Sequence, residues 1–146
     1  MRLLPILVLA AAPALAAAAS IEGEITLHCS KDAFAKDSFQ KEFGDLVKAK
    51  THWRAGDFLG RETVFAGISV KNTSTKPMFF QYCVSFFDKN GNLIGATGQG
   101  LFGDKGLEAG KETQMGSCLI HLPKDKYKEI KSYKAVLYES ETQLGR

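Results

Sequence analysis

Three cysteines, three histidines and three methionines are the side chains equipped to bind soft metals, form disulfides or act as nucleophiles. Cys118 and His121 place a sulfur and an imidazole donor three residues apart, with the Met115 thioether three residues before Cys118. A set of this kind suits Cu(I), and His28, Cys29 and Met78 could extend it if the N-terminal arm folds back. Two features weigh against a metal centre. The spacing lacks the paired ligands of a zinc site, and positions three apart on a strand face opposite sides of the sheet. A disulfide plus a surface histidine, with no cofactor, is the simpler expectation.

Catalysis finds less support. A nucleophilic cysteine needs a lowered pKa and a base beside it. His28 adjoins Cys29, but neighbours on an extended chain diverge. No Ser-His-Asp or Cys-His arrangement emerges from the remaining residues, so the sequence reads as non-enzymatic. The glycine-rich run at residues 95–100 lacks both the dinucleotide spacing and the following helix that a phosphate loop requires.

These residues sit behind an export signal. A short basic start (Met1, Arg2) precedes an apolar run over residues 3–15 and the small residues Ala16, Ala17, Ala18, Ala19 and Ser20. That is the pattern signal peptidase reads. Cleavage after Ala16, Ala18 or Ala19 satisfies the small-x-small rule, so residues 1–19 are expected to be removed and the site stays open within Ala16 to Ser20. The apolar run is shorter than the roughly 20 residues that span a bilayer, which argues against a transmembrane anchor. The expected destination is the periplasm or the medium. Loss of Arg2 lowers the formal charge of +3 by one, too little to attract nucleic acid or an anionic membrane. The remaining chain is the size of one domain.

Downstream, residues 20–44 read as an N-terminal arm with a short helix. Asp37 followed by Gln40 matches a capping box, Phe39 and Phe43 share a helical face, and Gly44 is a stop. From Leu46 the period changes to two. Val47, Ala49, Thr51 and Trp53 alternate with Lys48, Lys50, His52 and Arg54, which predicts a strand with a wet, basic outer face. Val64, Ala66, Ile68 and Val70 mark the next strand. Phe80, Tyr82, Val84 and Phe86 mark the third and most apolar one. Asp88-Lys89-Asn90-Gly91 is a hairpin turn. Further strands are expected after Leu93, over residues 113–122, and around Tyr133, Ala135 and Leu137, with a polar tail over residues 140–146. The expected fold is all-β, an antiparallel immunoglobulin-like sandwich over residues 45–139 with the short N-terminal helix attached.

The run Gly67-Ile68-Ser69-Val70-Lys71-Asn72-Thr73-Ser74 and the hairpin Val84-Ser85-Phe86-Phe87-Asp88-Lys89-Asn90-Gly91 carry a family resemblance. It continues through Leu107-Glu108-Ala109-Gly110-Lys111-Glu112 and Tyr133-Lys134-Ala135-Val136. Together they resemble the FxLYD family of immunoglobulin-like domains of secreted and envelope proteins, over roughly residues 64–139. Ala109 stands where that family commonly has proline. The resemblance implies a fold and no catalytic residues. In an immunoglobulin-like sheet the third strand and the strand at 113–122 would be neighbours, so Cys83 and Cys118 are the first candidates for a disulfide. Cys29 pinning the arm over Phe79 and Phe87 is the rival. The function expected is a non-catalytic binding module of the bacterial envelope, meeting a protein partner through an edge strand or an outer sheet face; periplasmic copper handling is the alternative.

Overall fold

The computed structural model describes residues 16–30, 39–101, 104–119 and 122–143. Alternation of apolar and polar residues builds strands β1 (Ala16–Glu24), β2 (Phe39–Phe43), β3 (Val47–Phe58) and β4 (Arg61–Asn72). They continue with β5 (Phe79–Phe87), β6 (Leu93–Gly100), β7 (Glu112–Cys118) and β8 (Ser132–Ser140). One sheet has the order β1-β8-β5-β6 and the other β2-β3-β4-β7, with every pairing antiparallel. The protein is a two-sheet β-sandwich.

Its core is made by the inward rows that the period-two pattern marks. Val47, Ala49, Trp53 and Ala55 of β3 and Val64, Ala66, Ile68 and Val70 of β4 meet Phe80, Tyr82, Val84 and Phe86 of β5 and Tyr133, Ala135 and Leu137 of β8. Trp53 sits at the centre. Its ring lies edge-on to Tyr133 at 4.5 Å and to Phe86 at 5.5 Å, and its Nε1–H donates to the Tyr82 hydroxyl at 2.5 Å. A buried indole N–H without a partner would be destabilising, so this bond fixes how the sheets face each other. The extended arm at residues 25–28 follows the same rule, burying Ile25 and Leu27 while Thr26 and His28 face water.

Two turns read from side-chain chemistry form as expected. Asp88 Oδ1 accepts the N–H groups of Asn90 and Asn92, and Gly91 adopts φ 81° to close the hairpin. Asn72, fully buried, accepts the Ser74 N–H and donates to the carbonyls of Lys76 and Leu107.

Several expectations are corrected. Phe39–Phe43 is strand β2, not a helix; its backbone pairs along β3 from Trp53 to Ala49, and that cross-strand ladder prevails over local helix signals. Asp37, the expected cap, lies outside the described residues. Among the described residues the only helical element is a short 3₁₀ turn at Lys126–Glu129. The outer row of β3 is wet only in part: Lys48 is exposed, but His52 and Arg54 are buried. The last strand extends through Ser140, so Ser140, expected to open the polar tail, is an interior residue, as is Glu139 before it.

Glu139 is the most consequential of these. It is fully buried. Its carboxylate accepts the N–H of Asp45 at 2.9 Å and of Val47 at 3.1 Å through Oε1, and that of Leu46 at 3.1 Å through Oε2. Successive N–H groups in a turn form a concave anion site, and here the anion comes from the opposite sheet. Gly44 opens that turn at φ 100°, and a Cβ there would lie 2.2 Å from the Val47 carbonyl oxygen and 2.7 Å from Glu139 Oε1. We expect Glu139→Ala to lower stability by about 3–5 kcal/mol, because it leaves buried donors without an acceptor. Glu139→Gln should lose about half as much. Urea unfolding followed by fluorescence of the single tryptophan measures both; a loss below about 1 kcal/mol for Glu139→Ala would contradict this role.

Candidate functional site

Among the described residues, the β3–β4 hairpin carries the most unusual exposed side chains. Cross-strand pairing runs to Phe58 opposite Arg61, leaving a two-residue turn of Leu59 and Gly60 with φ values of 54° and 78°. Two positive φ values in a two-residue hairpin favour Asn-Gly, since a side chain in the left-handed region costs about 1–2 kcal/mol. Leucine at the first position is therefore strained, and it is 87% exposed. Phe58 beside it is 48% exposed. Asp57 Oδ1 accepts the Gly60 N–H at 3.0 Å and holds the tip in shape.

Behind the tip, the outer face of β4 and β7 is hollow. Phe58 meets Phe65 edge-on at 6.2 Å, and the Arg54 guanidinium lies 4.0 Å above the Phe65 ring. Arg54 also donates to the Ser30 carbonyl at 2.5 Å, tying the arm to β3. A Cβ at Gly56 would fall 2.1 Å from Arg54 Nη1, so glycine makes room for that side chain. Gly67 and Gly116 pair across β4 and β7 and leave the sheet floor bare. Two adjoining hollows result, about 280 Å³ and 320 Å³, with Phe58 and Cys118 lining both. Thr63 and Leu119 close one; Phe65 and the two glycines close the other. The lining is largely hydrocarbon, with one thiol. Such a surface can bind an apolar group; its chemistry is recognition.

The cysteines are not where the resemblance implied. β5 pairs with β6 and β8, and β7 pairs with β4 in the other sheet, so Cys83 and Cys118 belong to different sheets. All three cysteines are free. Cys83 is exposed, opposite Gly98 and Val136. Cys29 is exposed at a parallel bridge to Ala55. Cys118 lies in the groove, directly across from Phe65. The proposed metal donors also separate: Met115 packs against the core, Cys118 points to the outer face, and His121 lies outside the described residues. Among the described residues no group of three or more His, Cys, Asp or Glu side chains gathers to hold a metal ion.

The hairpin tip escaped the sequence reading because residues 55–60 look like a glycine-bearing link. The available signal was Leu-Gly between two alternating runs, preceded by an aspartate able to cap the turn. Burial of Arg54 had no local signal, since the arm that bonds it at Ser30 lies some two dozen residues earlier.

No protein-family model matches the sequence, and no curated protein matches it. Among solved structures the chain is similar to a DUF1425 family member from Shewanella sp. pv-4, at 15% identity over 78% of this chain and 94% of that one, with a TM-score of 0.35. It is also similar to a chain of infectious bursal disease virus Gx strain, at 15% identity over 90% of this chain and 28% of that one, TM-score 0.39. These scores assign neither a family nor a function.

Two outcomes are expected here. Thiol titration of denatured, unreduced protein should count three thiols; a count of one would mean a disulfide the fold does not hold. His52 is held below its ordinary value near 6.5, first by burial and then by Lys50. The unfolded chain therefore takes up a proton at this residue before the folded one does, and stability should fall as pH drops below about 6.5. His52→Gln should flatten that slope in urea midpoints measured between pH 7.5 and 5; an unchanged slope would contradict it.

Proposed function

We propose that this chain is an exported, non-catalytic binding module of the bacterial envelope, and that it meets a protein partner through the Phe58–Leu59 tip and the groove behind it. The observation that carries the proposal is Leu59. A large apolar side chain held in water on a left-handed backbone works against the fold twice, through strain and through exposure. Glycine or asparagine would relieve the first, and any polar residue the second. Such a residue fits a contact made with another molecule. The groove adds a place for the partner's own apolar group, and Arg54, braced on Phe65, stiffens its floor.

Export is supported by the basic start, the short apolar run and the alanine-rich segment after it. The resemblance to FxLYD-type immunoglobulin-like domains fits the same setting, as do the Asn72 and Asp88 turns on which it partly rests. Copper handling draws less support, because Met115 and Cys118 diverge.

A photo-crosslinking amino acid at position 59 of the full chain, produced in a Gram-negative host, should yield a discrete protein adduct in the envelope fraction. The same group at position 93, an exposed leucine at the start of β6, serves as control and should not. Equal adducts at both positions, or none at 59, would overturn the proposal. Leu59→Gly should leave stability unchanged or raise it by up to about 1 kcal/mol while weakening capture by a crosslinker at position 58.

A further inference from the structure

The alanines that signal peptidase reads are also strand residues of the folded domain. β1 lies along the outer edge of β8, in register from Ala16 opposite Ser140 to Glu24 opposite Ser132. Alanine is a poor strand former, so residues 16–19 hold this conformation through their ladder with β8. The three small-x-small positions therefore leave different proteins behind. A cut after Ala16 removes only the rung Ala16–Ser140. A cut after Ala18 also removes the rungs to Glu139 and Tyr138, and a cut after Ala19 removes the rung to Leu137 as well.

Those rungs flank the place where the sheets are joined. Leu137 is fully buried, and Glu139 is the residue whose carboxylate holds the β2–β3 turn. β8 is an interior strand, paired to β5 on its other side. Removing residues 16–19 would turn its last rungs into an open edge beside that carboxylate, and unpaired edges invite wrong partners. We propose that signal peptidase hydrolyses the Ala16–Ala17 bond, with Ala14 and Ala16 as the two small residues it recognises, so that the mature chain opens on Ala17 with β1 nearly whole. Water supplies the hydroxyl to the Ala16 carbonyl and the proton to the Ala17 nitrogen. This inference rests on the export reading and sharpens it.

The full chain with a C-terminal affinity tag, exported from a Gram-negative host, tests it by intact mass. A mature N-terminus at Ala17 is expected. Processing to Ala19 or Ser20 would overturn the inference while leaving export standing. A chain that retains residues 1–15 would overturn the export reading and this inference with it. Ala14→Leu spoils recognition for the Ala16 cut alone, since Ala16 with Ala18 and Ala17 with Ala19 remain as small pairs. Unprocessed precursor, or a shift of the N-terminus to Ala19 or Ser20, is expected; continued production of the Ala17 form would overturn the assignment. In any shortened product, exchange of those N–H groups among residues 137–140 that point to β1 should accelerate at least about tenfold over the Ala17 form. Equal protection would overturn the claim that the strand needs those rungs.

Discussion

A carboxylate from one sheet, held by the backbone of the other, is the constraint on which this sandwich depends. Glu139 leaves water entirely, and an uncompensated buried anion would cost several kcal/mol. The compensation comes from three N–H groups of the β2–β3 turn, which can converge only because Gly44 takes a conformation closed to other residues. Along the opposite side the sheets are joined by side chains of β6 reaching β7: Thr97 to Ser117 at 2.9 Å, and Gln99 to the Gly116 carbonyl at 2.6 Å. Between them Trp53 bonds Tyr82. Hydrophobic burial drives the sheets together without direction; these polar links give the packing one geometry.

That geometry explains what the hairpin tip can do. β3 and β4 are the two interior strands of their sheet, flanked by β2 along Ala49–Trp53 and by β7 along Phe65–Lys71. Their hairpin projects past the core on a stiff ladder, so Phe58 and Leu59 are presented from a rigid base. Recognition surfaces on rigid elements lose less entropy when they bind. The groove owes its depth to Gly67 and Gly116, which are paired across β4 and β7 and contribute no side chains.

Much of the sandwich could be read from residue order alone. The inward rows of β3, β4, β5 and β8 follow a strict alternation, and the Asp88 and Asn72 turns have local chemical causes. What escaped that reading depends on contacts distant in sequence. Phe39 and Phe43 fit a helix until β3 offers them a ladder. Glu139 looks like a surface residue near the chain end until a turn some ninety positions earlier supplies its donors. Cys83 and Cys118 could be imagined as neighbours only under a strand order in which β7 flanks β5; pairing of β7 with β4 sends them to separate sheets. The groove was invisible for a similar reason, since a bare patch made by two glycines requires knowing that the strands bearing them are adjacent.

Amide hydrogen exchange at Asp45, Leu46 and Val47 tests the central claim most directly. These N–H groups lie at a turn and the start of a strand, where water would ordinarily reach them. If the Glu139 carboxylate binds them, their exchange should be slowed at least about a hundredfold relative to an unstructured peptide, and Glu139→Gln, which keeps a single acceptor oxygen, should release at least one of the three. Exchange at peptide rates in the unaltered protein, with the rest of β3 protected, would contradict the account.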